Sequence, residues 1–323
     1  MELRQLQYFL KIAEHRSLSR AAAELGLGVS ALSQQVSKLE NELSTRLLNR
    51  TTTGVTPTSA GMAFLHHAQL AVRQIGNAVH AAQRGRMSGY VSVGLPPTTA
   101  SVLALPLIER MRTRYPDIQL HLVEMLSGHL ASQLNARQLD LAVVFQADAG
   151  RRWHVTPLLD EKLFVIAVPT LLDIPEGDTV QIDQLGHVPL VMPSAQHGLR
   201  TSIIMAFERS ETVPHIVMEI DGLATLMQAV KAGHAATIQP GAAAARLGDA
   251  ELRMVEISDD HVGRRNFLAS LSDDELSPAA LATRVVLLEV SRELVNMHLW
   301  PGASLPGGRV LAGFAEGHRR DHE

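Results

Sequence analysis

Apolar residues recur at helical spacing in three short runs near the N-terminus, which predicts three short helices. The runs are Leu6, Phe9, Leu10 and Ala13; Ala21, Ala22 and Leu25; and Leu32, Val36, Leu39 and Leu43. Gly26 is expected to end the second helix and Ser30 to cap the third. Two helices joined by a short Gly-containing turn, at this spacing, predict a helix-turn-helix.

The outward face of the third helix is made of small or amide side chains. It carries Ser30, Ser33, Gln34, Ser37 and Asn41. Ser is a mediocre helix former, so a face with three Ser has lost helix propensity relative to the usual Glu and Lys. Short hydrogen-bonding side chains let a helix enter the DNA major groove and reach base edges. The alternative is an ordinary polar surface helix.

The segment from Leu47 to Thr58 has β-branched residues on both sides of Gly54, which is typical of a short hairpin, the wing of a winged helix. Arg50 and the three Thr that follow it offer a cation and hydroxyls to DNA phosphates. The candidate DNA contacts are Arg20, Val29, Ser30, Ser33, Gln34, Ser37, Arg50, Thr51 and Thr53.

From Ser59 to about Arg84 the apolar residues follow a heptad-like spacing. The positions are Leu65, Ala68, Val72, Ile75, Val79 and Ala82. Such a seam predicts a long linker helix that pairs two chains through Leu65, Val72, Ile75 and Val79. A single amphipathic helix packed on its own domain remains the alternative.

After a hinge at Gly85 to Gly89, strand-like runs alternate with helical ones, which predicts an α/β fold with a mainly parallel sheet. The strands are expected at 90–95, 118–124, 139–145, 163–168, 188–192, 215–220 and 235–239. The helices are expected at 101–115, 128–136, 199–209, 223–232 and 278–297, and the tail beyond residue 300 is predicted to be disordered. Ligands bind such folds at the C-terminal ends of the strands.

Charge divides the chain sharply. Residues 1–88 hold ten Lys or Arg and five Asp or Glu, a net charge of +5. Because the whole chain has a net charge of −4, residues 89–323 carry −9. A basic segment joined to an acidic remainder suggests a polyanion-binding module attached to another domain. The chain has no Cys, which excludes a disulfide scaffold and a Cys-ligated metal site and favours a cytoplasmic protein. No membrane span, metal site or cofactor is expected.

Four segments together resemble the LysR-type transcriptional regulators. They are Leu3-Arg-Gln-Leu-Gln-Tyr-Phe-Leu; Ser17-Leu-Ser-Arg-Ala-Ala-Ala-Glu-Leu; Ser30-Ala-Leu-Ser-Gln-Gln-Val-Ser-Lys-Leu-Glu-Asn-Glu-Leu; and Leu47-Leu-Asn-Arg-Thr with Gly54-Val-Thr-Pro-Thr-Ser-Ala-Gly. The resemblance is dense over residues 1–75 and implies a regulator rather than an enzyme. It implies an α+β multidomain chain with a winged helix-turn-helix, a linker helix and a two-lobed α/β effector-binding domain like the periplasmic binding proteins.

The implied domains are residues 1–58 for DNA binding, 59–88 for the linker helix and hinge, and 89–300 for effector binding, with a tail at 301–323. The first lobe would hold about residues 90–165 and 270–298, and the second about 166–269. The implied partners are promoter DNA, a small organic effector and further copies of the chain in a dimer or tetramer. RNA polymerase is a further candidate partner.

Two departures from the family pattern concern DNA binding. Many members begin the recognition helix with Gln-Pro, whereas this chain has Val29 and Ser30; many carry Arg or Lys before the wing Gly, whereas this chain has Thr52 and Thr53. Base readout would therefore depend on Ser30, Ser33 and Gln34, with Val29 against a thymine methyl. Fewer wing cations predict a shallower dependence of affinity on salt.

The effector cleft is expected where loops follow the strands. Thr98, Thr99 and Ser101 open a helix, where free N–H groups and hydroxyls favour an anion; helix capping by these hydroxyls is the alternative. Across the cleft Arg200 could bind a carboxylate bidentately. The full candidate set is Thr98, Thr99, Ser101, Ser127, Gln146, His197, Arg200 and Thr225. A further departure is Gln239, which precedes Pro240 where the family usually has an apolar residue.

Other classes of function fit less well. Gly26 and Gly28 follow a helix rather than a strand and lack a third Gly, so they do not form a dinucleotide-binding motif. No HExxH, Walker or Gly-x-Ser-x-Gly motif is present. The stronger rival is a solute-binding receptor that does not bind DNA, and a regulator whose effector cleft is vestigial is a third hypothesis.

Overall fold

The chain divides into two units, with the main boundary between Gly89 and Tyr90. The computed structural model describes residues 1–51, 54–82, 88–146, 153–171, 174–195, 198–245, 252–273 and 275–307. No helix in these ranges is long and apolar enough to cross a membrane.

The N-terminal unit consists of four helices and a hairpin. Its elements are α1 (Leu3–His15), α2 (Leu18–Glu24), α3 (Val29–Glu42), β1 (Leu48–Thr51), β2 (Gly54–Pro57) and α4 (Ser59–Ala82). Gly26 follows α2 with a positive φ of 66°, as expected of a residue that ends a helix. The expectation that Ser30 caps α3 was wrong, because the N-cap is Gly28 and Ser30 lies in the first turn.

The core of this unit joins the first three helices to the beginning of α4. Phe9 of α1 is fully buried and meets Phe64 of α4 edge to face, with ring centroids 5.3 Å apart. Leu65, Ala68 and Val72 pack on the same core. The first half of the predicted dimer seam is therefore used within the chain, whereas Ile75 is 41% exposed. The side chain of Val79 lies outside the described residues.

The hairpin is fixed to the helices by backbone contacts. Glu40 of α3 accepts hydrogen bonds through Oε1 from the N–H groups of Leu47 (2.7 Å) and Leu48 (2.9 Å). A Cβ at Gly61 would lie 1.9 Å from the carbonyl oxygen of Leu47, so only glycine fits at this position in the first turn of α4. The recognition helix, the hairpin and α4 are thus held at one junction.

The second unit alternates strands and helices. Its strands are β3 (Gly89–Leu95), β4 (Ile118–Glu124), β5 (Leu141–Val144), β6 (His154–Ala167), β7 (Thr179–Val180), β8 (Leu190–Met192), β9 (Ile216–Glu219), β10 (Thr237–Pro240), β11 (Arg253–Ile257), β12 (Gly263–Ser270) and β13 (Ala303–Ser304). Its helices are α5 (Pro97–Arg114), α6 (Ser127–Asn135), α7 (Gly198–Arg209), α8 (Leu223–Lys231) and α9 (Pro278–Asn296).

Strand β6 connects two lobes. Its first part pairs with β12, and its last residues pair with β10 and β11. The first lobe has the sheet order β4-β3-β5-β12-β6 with α5 and α9 packed on it, and the second lobe has a separate core around β10, β11, α7 and the end of β6. All five described pairings of β10–β13 with β5 and β6 are antiparallel, so the expectation of a mainly parallel sheet was wrong.

Two further sequence expectations need correction. The sequence predicted that the chain re-enters the first lobe at residue 270, whereas β12, which begins at Gly263, already belongs to the first-lobe sheet. The tail predicted to be disordered from residue 301 begins with β13, which pairs with β6 at Asp160 and Glu161. Residues 308–323 lie outside the described residues.

Candidate DNA-binding face and effector pocket

The outer face of α3 is open to solvent. Val29 is 44% exposed, Ser30 and Gln34 are exposed, and Ser33 and Ser37 are half-buried, while Leu32 and Val36 on the opposite side are fully buried. The helix therefore separates an apolar inner face from a nearly uncharged polar outer face, as the apolar spacing predicts. A face of short donors and acceptors can approach base edges closely.

The hairpin brings a cation beside this face. Arg50 is exposed and its Nη2 donates to Ser37 Oγ at 3.5 Å, the long end of a hydrogen bond. Arg20 of α2 is exposed as well. The side chain of Thr51 and the whole of Thr53 lie outside the described residues, so their phosphate contacts stay predictions.

A polar groove of about 740 Å³ runs between the second half of α3 and β1. Its lining includes Asn41, Arg46 and Asn49. The sequence analysis did not propose Arg46 or Asn49 as DNA contacts. The basic charge of the first 88 residues was the available signal, but it could not distinguish these two side chains from other polar residues. Arg46 and Arg50 both line this groove.

In the second unit the predicted anion-binding hydroxyls lie at the beginning of α5. Thr98 and Thr99 are buried in its first turn, and the N-cap is Pro96, with no side-chain capping bond. Ser101 Oγ lies 2.6 Å from the carbonyl oxygen of Thr98 and 2.7 Å from that of Ala242, so its hydroxyl hydrogen is used within the protein. None of the three hydroxyls therefore caps the N-terminus of α5. Of the three residues, Thr98 lines a cavity.

The other effector candidates do not line that cavity. Arg200 Nη1 donates to the carbonyl oxygen of Pro193 and to Glu219, and its side chain is 15% exposed. Ser127 begins α6, and Gln146 and Thr225 are exposed. His197 lies outside the described residues. The structure thus brings together Thr98 of this set with residues that the sequence did not suggest.

The cavity is about 20 Å³ and lies between the lobes. Its lining is Pro96, Pro97, Thr98, Phe145, Pro193, Asp221, Leu223, Leu226, Gln239 and Arg264. Arg264 is 6% exposed, and its guanidinium lies 3.9 Å from the centroid of the Phe145 ring. The sequence analysis did not predict β12. Arg264 stands next to another charged residue, so nothing in the sequence indicated that its side chain would be buried.

A buried carboxylate holds Arg264 in place. Glu161 Oε2 accepts hydrogen bonds from Arg264 Nε (2.9 Å) and Nη2 (2.6 Å) and from Asn266 Nδ2 (2.7 Å), and its Oε1 accepts one from Trp300 Nε1 (2.8 Å). Arg264 Nη2 also donates to Thr98 Oγ1 at 2.8 Å. Glu161 and Arg264 are direct partners in the antiparallel β6–β12 register, so the ion pair joins two neighbouring strands of the first-lobe sheet.

The clear pKa shifts lie on the surface of both units. In the N-terminal unit, the hydrogen bond from Lys11 lowers the pKa of Glu24, with a second contribution from His15, and the same contact raises the pKa of Lys11. In the second unit, the bidentate hydrogen bond from Arg110 lowers the pKa of Glu293. Among the described residues, no group of three His, Asp or Glu side chains could hold a metal ion.

Comparison with known proteins identifies the two units. Residues 3–62 match the bacterial regulatory helix-turn-helix protein, lysR family, and residues 84–292 match the LysR substrate binding domain. The chain belongs to the LysR family of transcriptional regulators. It is therefore a regulator with a helix-turn-helix DNA-binding domain and an effector-binding domain, and not an enzyme.

Named relatives agree with this assignment. The chain is 35% identical over 294 residues to the nitrogen assimilation regulatory protein nac of Klebsiella aerogenes, covering 90% of this chain and 95% of that protein. The corresponding Escherichia coli protein is 34% identical over 306 residues, covering 93% and 99%. The fold matches full-length CbnR complexed with its target DNA, with a TM-score of 0.69 at 24% identity, covering 90% of this chain and all of that one. A solute receptor that does not bind DNA is not favoured.

Proposed function

We propose that this LysR-family regulator reads promoter DNA with the outer face of α3 in the major groove. Ser30, Ser33 and Gln34 would contact base edges, with Val29 against a thymine methyl. The proposal is supported by the exposure of Ser30 and Gln34, with Ser33 half-buried between them, on a helix whose opposite face is buried in the core. Ser37, Arg50, Thr51, Thr53 and Arg20 would contact phosphates and fix the register.

The regulator would bind as a dimer or as a tetramer made of two dimers. The exposed Ile75 of α4 supports pairing through the second half of the seam, because Leu65 and Val72 are already packed on the N-terminal core. Two recognition helices held in this way would read half-sites about one helical turn, or a multiple of it, apart. We expect an interrupted inverted repeat in the target promoters. A DNA-bound regulator of this kind would act in the cytoplasm, with RNA polymerase as its partner at the promoter.

The effector would be a small organic anion bound between the lobes. The support is the position of Thr98 in the first turn of α5, beside the guanidinium of Arg264. A helix N-terminus and a buried cation both favour negative charge. Binding between the two lobes, which β6 connects, would favour one lobe arrangement over others and so change the promoter response.

Genome-wide capture of DNA bound by the full-length protein, followed by footprinting of the best site at fixed salt, tests the proposal. The names of the relatives suggest that nitrogen-assimilation genes are examined first. A protected interrupted inverted repeat supports the proposal. Binding that is absent or independent of sequence contradicts it.

A further inference from the structure

A tight turn follows α9 and leads into β13. Its sequence is Trp300-Pro301-Gly302-Ala303, and the N–H of Ala303 donates to the carbonyl oxygen of Trp300 at 3.2 Å. Pro at the second position and Gly at the third, with a φ of 71° at Gly302, are the residues that a type II turn favours. The turn and β13 together, Trp300–Ser304, are called the C-terminal strap below.

The C-terminal strap is anchored in the first lobe. Trp300 is 1% exposed, belongs to the first-lobe core and donates from Nε1 to Glu161 Oε1 at 2.8 Å. Ala303 and Ser304 pair with Glu161 and Asp160 of β6. A buried Trp whose N–H has a partner, together with two strand pairings, fixes the strap to this lobe.

The strap also contacts the second lobe, at two glycines. A Cβ at Gly241, which directly follows β10, would lie 2.6 Å from the carbonyl oxygen of Pro301. A Cβ at Gly302 would lie 2.4 Å from Cε2 of Phe164, whose ring packs with residues of α8 in the second lobe. Even a methyl group at either position would push the strap away from the second lobe, because it would meet backbone or a packed ring.

Backbone bonding along one edge of β6 continues across the crossover between the lobes. On this edge β10 pairs with residues 163–166, and β13 pairs with Asp160 and Glu161. Between these pairings the N–H of Lys162 donates to the carbonyl oxygen of Gly302 at 2.9 Å. A hinge must absorb large changes of φ and ψ, which a hydrogen-bonded edge opposes. The strap therefore closes the place at which β6 would bend.

We infer that the C-terminal strap is a latch that holds the two lobes in one arrangement, and that it releases Gly241 and Phe164 when the second lobe turns relative to the first. It is fixed to one lobe and packed against the other without room for a methyl group, so the lobes cannot turn while these contacts persist. The strap lies beyond residues 84–292, the part that matches the LysR substrate binding domain. The latch goes beyond the proposed function, because it does not depend on DNA binding.

Amide hydrogen exchange of the full-length protein tests whether the strap is the restraint at this crossover. Gly302→Ala drives a methyl group against the Phe164 ring, and exchange of the Lys162 N–H is expected to become at least about tenfold faster as its acceptor moves away. Gly307→Ala is the matched control. It also replaces a glycine of positive φ, 97°, but its Cβ meets nothing within 4 Å, so exchange at Lys162 should be unchanged.

Spin labels measure the lobe arrangement itself. Because the chain has no Cys, labels can be attached through Ser132→Cys in the first lobe and Gln228→Cys in the second, both at exposed positions. Double electron–electron resonance, with unlabelled protein added to dilute distances between chains, should give one narrow distance distribution. Gly302→Ala should make it at least about twice as wide, since further lobe arrangements become populated. Gly241→Ala should do the same from the other side of the contact, and Gly307→Ala should not.

The two alanine variants at the contact provide separate tests, so the latch can be judged even where one of them does not fold. Faster exchange at Lys162 together with a wider distance distribution, both absent in Gly307→Ala, supports the latch. Unchanged exchange, or a distribution as narrow as that of the control, would overturn it.

Discussion

The DNA-binding unit and the effector-binding unit place their polar side chains in opposite environments. The outer face of α3 leaves Ser30 and Gln34 in solvent. The paired strands β6 and β12 bury Glu161 and Arg264, and the carboxylate accepts four hydrogen bonds. A surface made for a large polyanion can remain open, whereas a pocket for a small molecule requires charges whose orientation is fixed before the ligand arrives.

The largest effect is expected at the buried ion pair. Glu161→Leu leaves the guanidinium of Arg264 buried without its carboxylate, which should lower the free energy of unfolding of the effector-binding unit by about 3 to 5 kcal/mol. Urea denaturation measures this change. Adding Arg264→Leu to Glu161→Leu should restore much of the loss, because no charge is then left unpaired.

The neighbouring pair is the matched control. Arg265 Nε donates to Asp160 Oδ1 at 2.7 Å on the opposite face of the same two strands, but the Arg265 side chain is 38% exposed. Asp160 is itself only 2% exposed, so the contrast lies in the arginines: Arg265→Leu removes a partly solvated cation and should cost less than Arg264→Leu, which removes a buried one. Equal losses at the two positions would mean that burial does not set the size of the effect.

The second effect tests how closely the N-terminal unit is packed. Gly61→Ala places a methyl group against the carbonyl oxygen of Leu47 and should destabilise this unit by about 1 to 3 kcal/mol. Gly76→Ala in the same helix meets nothing within 4 Å and should be neutral or slightly stabilising. Thermal denaturation of both variants checks the contrast, and a comparable loss in Gly76→Ala would argue against a steric cause.

How far the sequence predicts each region follows from the range of its contacts. The apolar stripe of α3 is a local pattern, so Leu32 and Val36 predict the buried face and Ser30 and Gln34 the exposed one. Strand β6 contains Asp160, Glu161 and Lys162 in succession, a pattern that argues against a buried strand. The expected strand therefore began at residue 163, nine residues after the observed start at His154.

The missing information was the partner strand. Asp160 and Glu161 are neutralised by Arg265 and Arg264, more than one hundred residues along the chain. Lys162 Nζ contacts Glu256 of β11 at 2.5 Å. No local pattern reports such pairs, and for the same reason the sequence favoured Arg200 as the candidate cation and did not indicate that Arg264 lines the cavity between the lobes.

The third prediction separates base contacts from phosphate contacts on the DNA-binding face. Gln34→Ala should weaken binding to the best promoter site by about 1 to 3 kcal/mol while leaving nonspecific affinity and the salt dependence unchanged. Arg50→Ala should weaken binding to all sequences similarly and reduce the slope of log affinity against log salt by about 1. Titrations over a series of salt concentrations measure both quantities. A change of slope in Gln34→Ala, or a sequence-dependent loss in Arg50→Ala, would exchange their assigned roles.

The smallest effect concerns exposed ion pairs, which occur in both regions. The hydrogen bond from Lys11 holds the pKa of Glu24 below its usual 4.5, so this pair stabilises the folded N-terminal unit above about pH 4.5 and loses that contribution as the pH falls through the lowered pKa. Glu24→Gln should therefore lower the melting temperature slightly at pH 7 and leave it nearly unchanged at pH 3. The same change at Glu293, whose pKa Arg110 lowers, should behave alike in the effector-binding unit. Both differences should shrink in 1 M salt, because solvent-exposed charges are screened there, whereas the loss caused by Glu161→Leu should persist.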